Sequence, residues 1–80
     1  MKMEKLVLEA YKSVIEEAGK SVDNINLDIE VSRENGLDSL GFVEFIIVLE
    51  EKTGKKLDPV LSQIRKSKNL KEIVDVLNTL

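Results

Sequence analysis

The chain has no cysteine and no histidine among its 80 residues. Without cysteine there is no disulfide framework and no thiolate nucleophile. Without histidine, the commonest general base and the commonest metal ligand are both missing. A serine hydrolase is therefore not expected, because a serine nucleophile needs an adjacent base. No apolar run approaches the roughly 20 residues that a membrane-spanning helix requires. The opening Met1-Lys2-Met3-Glu4-Lys5 lacks the apolar stretch of a secretory signal. A single cytoplasmic domain over residues 1–80 is expected, acting as a monomer. The net charge of -3 argues against nucleic acid as a partner. What is present is 42% hydrophobic residue, enough for a core, in a chain too short for a deep pocket.

The spacing of apolar residues predicts helices. From Lys2 to about Ala18, Met3, Leu6, Val7, Ala10, Tyr11, Val14, Ile15 and Ala18 recur every three or four positions. Gly19 comes next, where a left-handed C-cap is expected. Ser21 to Leu37 reads as a long polar loop with turn signals at Asp23-Asn24 and Asn35-Gly36. Its Val22, Ile25, Leu27, Ile29 and Val31 are expected to pin it onto the core. The alternation Leu27-Asp28-Ile29-Glu30-Val31 has the period of a strand. With no second strand to pair with, it is assigned to the loop. A loop this long in a small domain is often functional.

A second helix runs from Ser39 to about Thr53, with Asp38 or Ser39 as N-cap and Gly54 as its stop. Asp58-Pro59 reads as an N-cap and first helical position of a short third helix, with Val60, Leu61 and Ile64 inward. Asn69 and Glu72 resemble a capping box opening a last helix, with Leu70, Ile73, Val74, Leu77 and Leu80 on one face. The expected fold is an all-α four-helix bundle with three main helices, a short third helix and a long first loop.

The second helix has more apolar faces than one core needs. At about 100° per residue, Phe42, Phe45, Ile46 and Leu49 cluster in one direction. Leu40, Val43 and Ile47 lie nearly opposite, beside Glu44, Glu50 and Glu51. Either a neighbouring element covers them, or they form a docking surface with an apolar centre and an acidic rim. Ser39 heads this helix. Its plainest role is that of an N-cap. A helix N-terminus also offers unpaired N–H groups and a positive dipole end, which would tolerate a phosphodiester there.

Gly36-Leu37-Asp38-Ser39-Leu40 resembles the G-x-D-S-L motif of acyl and peptidyl carrier proteins. Val43-Glu44, Leu49-Glu50-Glu51 and Gly54 are similar to the residues that such carriers have downstream of the motif, and the order of helices matches over nearly the whole chain. The resemblance implies that Ser39 receives 4′-phosphopantetheine from coenzyme A through a phosphopantetheinyl transferase. It implies that Asp38 helps to position magnesium and phosphate during that transfer. It also implies that Leu40, Val43, Glu44, Ile47, Glu50 and Glu51 dock basic patches on partner enzymes. Those partners would be acyl-transferring, condensing and tailoring enzymes of fatty-acid, polyketide or related biosynthesis. The chain itself would be no enzyme. The arm would supply the thiol that the protein lacks and keep its cargo at high effective concentration near each enzyme. Charge-steered docking suits such fast, weak encounters. Two other readings share the motif: a peptidyl or aminoacyl carrier, and a structural subunit of the same fold without an arm.

The sequence departs from that pattern in three places. Gly41 stands where fatty-acid carriers often have an acidic residue, and is expected to weaken the helix start. Asn35 stands where an apolar residue is common. Between Lys52 and Lys71 lie Lys52, Lys55, Lys56, Arg65, Lys66, Lys68 and Lys71, opposed only by Asp58. This stretch is either a solvated basic face or the contact for a dedicated partner with an acidic patch. Phe45, Ile46, Leu49, Ile64 and Ile73 line the expected core, as ordinary packing or as a place to sequester a fatty chain.

Overall fold

A computed structural model describes residues 3–20 and 23–80. Lys2, Ser21 and Val22 lie outside the described residues. Four α-helices form: α1 (Met3–Glu17), α2 (Ser39–Thr53), α3 (Leu61–Lys66) and α4 (Leu70–Leu77). No strand occurs among the described residues. α1 packs along α2 and against α4, and α3 abuts α4. The all-α bundle is as expected.

Each helix end has a cause in local chemistry. α1 closes with a Schellman motif: Gly19 takes φ +77°, its N–H donates to the Glu16 carbonyl, and Lys20 N–H donates to the Ile15 carbonyl. Ala18 falls outside the helix and is exposed. α2 ends at Gly54, φ +69°, whose N–H donates to the Glu50 carbonyl. At α4, Asn69 accepts from Glu72 N–H (3.0 Å), while the Glu72 carboxylate accepts from Lys68 N–H rather than from Asn69. The reciprocal half of the capping box has moved back by one residue.

Two expectations at helix ends are corrected. Asp58 does not cap α3. Asp58–Val60 forms a separate 3-10 turn that holds Pro59, and α3 starts after it with no side-chain cap. Proline's fixed φ and missing N–H suit this tight turn as well as they suit a helix start. Leu80 does not share the α4 face. The helix stops at Leu77, and Leu80 is 41% exposed.

The core takes Val7, Ala10, Tyr11, Val14 and Ile15 from α1, Phe42, Phe45 and Leu49 from α2, Ile64 from α3, and Leu70, Ile73, Val74 and Leu77 from α4. Leu37 and Leu57 join from the connections. Tyr11 and Phe45 meet edge to face, with ring centroids 6.5 Å apart. Burying each large apolar side chain stabilises the fold by about 1.5–3 kcal/mol. Phe45, Leu49, Ile64 and Ile73 are completely buried and Ile46 half-buried.

The long loop is pinned as expected, with Ile25, Leu27, Ile29 and Val31 half-buried against the core. Its extended part nevertheless finds backbone partners, in Lys68 after the end of α3 and in the first two residues of α4. Val31 N–H donates to the Lys68 carbonyl (2.9 Å), Leu70 N–H to Ile29 (3.1 Å) and Lys71 N–H to Leu27 (3.0 Å). The contact amounts to one isolated antiparallel bridge, Glu30 with Asn69. Absence of a second strand therefore did not leave these groups unpaired, because the Lys68 carbonyl and the free N–H groups of the first turn of α4 serve in its place.

Candidate functional site

The segment before α2 is held at several points. Arg33–Asn35 forms a 3-10 turn, closed by Gly36 N–H to Arg33 and Leu37 N–H to the Ser32 carbonyl. Gly36 adopts φ +90° and reverses the chain. The Tyr11 hydroxyl donates to the Asn35 carbonyl and ties the turn to α1. Burial pushes the Tyr11 phenol above its ordinary value of 10.0, which keeps this donor protonated. Asn35, a departure from the resemblance, uses its amide to donate to the Glu30 carbonyl (3.0 Å). Leu37 is buried and anchors the last residue before the helix cap.

Asp38 is the N-cap of α2. Its Oδ1 accepts from Gly41 N–H at 2.8 Å. Ser39 is therefore the first helical residue and has no capping duty. Its side chain is exposed, and its hydroxyl makes no hydrogen bond among the described residues. The plainest account of this serine, an N-cap, is thus removed. Its hydroxyl faces solvent at the positive end of a 15-residue helix.

Gly41 has a use that the sequence pattern concealed. A Cβ built there would collide with the Gly36 carbonyl oxygen and come within 3.2 Å of Asp38 Oδ1. The missing side chain lets the turn close over the first turn of α2. Beside the expected weakening of the helix start, Gly41 permits the close approach that sets Asp38 and Ser39 in place.

The α2 stripe is open to solvent. Leu40 is 70% exposed, Val43 47% and Ile47 50%, so no element among the described residues covers them. Glu44 is half-buried and Glu51 exposed beside them. Glu50 is partly engaged inside the molecule, its Oε2 accepting from Leu57 N–H at 2.8 Å. Ile47, Glu50 and Glu51 share a surface groove with Lys55 and Lys56, so the acidic rim gives way to basic residues at the far end of α2. The basic stretch is partly compensated by acids that lie outside it in sequence. Lys52 pairs with Glu9 at 3.6 Å and Lys71 with Asp75 at 3.8 Å.

An open groove of about 480 Å³ lies beside Ser39, lined among others by Asp38, Phe42, Val43, Arg33 and Arg65. Arg65 projects from α3, with its guanidinium carbon 5.2 Å from the Phe42 ring centroid. Sequence reasoning did not bring Arg33 and Arg65 together. The one signal available was that they are the only arginines in the chain.

Comparison with known families identifies the class. A family model, the phosphopantetheine attachment site, matches residues 8–77. The chain belongs to this family, whose domains carry covalently attached 4′-phosphopantetheine and are carriers rather than catalysts. No curated protein and no solved structure matches the chain. Among the described residues no helix is long and apolar enough to cross a membrane.

Proposed function

We propose that Ser39 is the attachment site and that the chain is an acyl carrier protein, itself no enzyme. The observation that carries this reading is the division of labour at the start of α2. Asp38 caps the helix, which leaves the Ser39 hydroxyl exposed and unpartnered at the helix's positive end. This fits a group with a phosphodiester, which the helix dipole favours. In the transfer, the Ser39 oxygen bonds to the arm's phosphorus and the pyrophosphate bond of coenzyme A breaks. Adenosine bisphosphate leaves, and the hydroxyl proton passes to a base of the transferase. When bound, the arm supplies a thiol that holds an acyl group as a thioester.

The remaining residues take supporting parts. Asp38 has a second carboxylate oxygen beside the one that caps Gly41, and this one would help to position the magnesium and phosphate of the transferase complex. Leu40, Val43 and Ile47, with Glu44, Glu51 and the outer face of Glu50, form the surface that the transferase and the acyl-processing enzymes meet. An exposed apolar stripe rimmed by charge is the ordinary composition of a transient interface.

The test is an intact-mass measurement after incubation with coenzyme A and a phosphopantetheinyl transferase. The expected result is a gain of one arm, abolished in Ser39→Ala. A gain that persists in that variant overturns the assignment of Ser39, and no gain at all overturns the carrier reading.

A further inference from the structure

Ten of the twelve basic side chains are lysines; the two arginines are far apart in sequence and converge on one groove. Arg33 reaches it from the 3-10 turn and Arg65 from α3. Neither guanidinium pairs with a carboxylate among the described residues. What sets them apart from the unpaired lysines is that both line the groove onto which Ser39 opens.

The groove's other walls narrow what it suits. Its floor is apolar, with Leu37 and Phe42 buried and Val43 beside them. The Arg65 guanidinium lies over the Phe42 ring, and its N–H donors make no hydrogen bond among the described residues. A planar fork of that kind matches the paired oxygens of a phosphate or carboxylate, which a lysine ammonium does not. Asp38 lines the same groove, its Oδ1 accepting from Gly41 N–H, and among the described residues no ion pair joins its carboxylate to either arginine. Ser39 opens onto the same groove.

We propose that Arg33 and Arg65 form an anion seat for an oxyanion carried on Ser39. The oxyanion is the phosphodiester of the arm or a carboxylate on a short acyl cargo folded back along it. The proposal rests on Ser39 being the attachment site. It makes this carrier select for anionic cargo, or hold its arm against α3 between encounters, through residues of its own.

The experiment tracks the Nε–H resonances of Arg33 and Arg65 by NMR in the apo, holo, acetyl-loaded and malonyl-loaded proteins, with intact mass confirming each state. The Arg33→Gln and Arg65→Gln variants, both at exposed positions, identify the signals and show which arginine acts. Arg65→Lys keeps the charge and removes the fork. Shifts of both Nε–H signals on conversion to holo, lost at high salt, show the phosphodiester in the seat. Shifts that appear with malonyl and not with acetyl show the cargo carboxylate there. Full mass gain with neither signal moving in any loaded state overturns the seat while leaving the carrier reading intact. No mass gain overturns both. A response that survives in Arg65→Lys undiminished overturns the paired-fork geometry.

Discussion

Replacing Gly41 by alanine sets two effects against each other, and the structure decides between them. Alanine is a better helix former than glycine by about 1 kcal/mol, so propensity alone makes Gly41→Ala stabilising. The new Cβ, however, would occupy the position of the Gly36 carbonyl oxygen. That neighbour is backbone, fixed by Gly36 N–H to Arg33 and by Leu37 N–H to Ser32. It cannot rotate away as a side chain would. Overpacking of this kind costs about 1–3 kcal/mol, and a rigid neighbour places it in the upper part of that range. The same Cβ lies 3.2 Å from Asp38 Oδ1, so relief of the clash also loosens the cap. Losing a cap costs about 1 kcal/mol. The net expectation is a destabilisation of about 2 kcal/mol. With an m-value near 1 kcal/mol/M for a chain this small, the urea midpoint should fall by about 2 M. Equilibrium unfolding monitored by circular dichroism measures it. A midpoint equal to or above that of the parent protein would refute the close approach and restore the propensity argument.

Tyr11→Phe should cost about 1 kcal/mol at neutral pH through the lost bond to Asn35. Because burial raises the Tyr11 pKa above 10.0, the stability from its neutral form is complete below pH 10 and is lost as pH rises through the folded-state value. Urea midpoints between pH 7 and 11 should therefore fall less steeply above pH 10 in the variant. Parallel profiles would dismiss the role of burial. Changing Leu40, Val43 and Ile47 together to glutamine should move stability by less than about 0.5 kcal/mol per site, since all three are exposed. It should lower kcat/KM for arm transfer at least tenfold, and unchanged transfer would dismiss the docking surface.

The parts of the fold that could be read in advance are those set by near neighbours in sequence. Three- and four-residue spacing located α1, α2 and α4, and Gly19, Gly54 and Asn69 marked their ends through local φ and capping chemistry. What escaped was non-local. Nothing near Gly41 in the chain announces that the Gly36 carbonyl sits against it. Nothing in Leu27 to Val31 announces that Lys68 to Lys71 will accept and donate its hydrogen bonds. Asp58 was misread because Asp-Pro opens a 3-10 turn and an α-helix by the same local signature. At the site, the serine and its exposed helix face were legible from motif and periodicity. The division between Asp38 as cap and Ser39 as free hydroxyl needed coordinates, as did the meeting of Arg33 with Arg65.

The backbone bonds on either side of α3 bear on how the groove is held. Leu57 N–H is held by the Glu50 carboxylate just before the Asp58–Val60 turn and α3, and the Lys68 carbonyl is held by Val31 just after α3. The six-residue helix is thus a short beam pinned at both ends, one to α2 and the other to the long loop. Ser39 is moored separately, through the Asp38 cap and the Tyr11 bond to Asn35. Between the pins Ile64 is completely buried in the core, so the beam is also held at its middle. The serine and the arginine wall of its groove therefore rest on separate sets of contacts, and a change that loosens one set leaves the other in place.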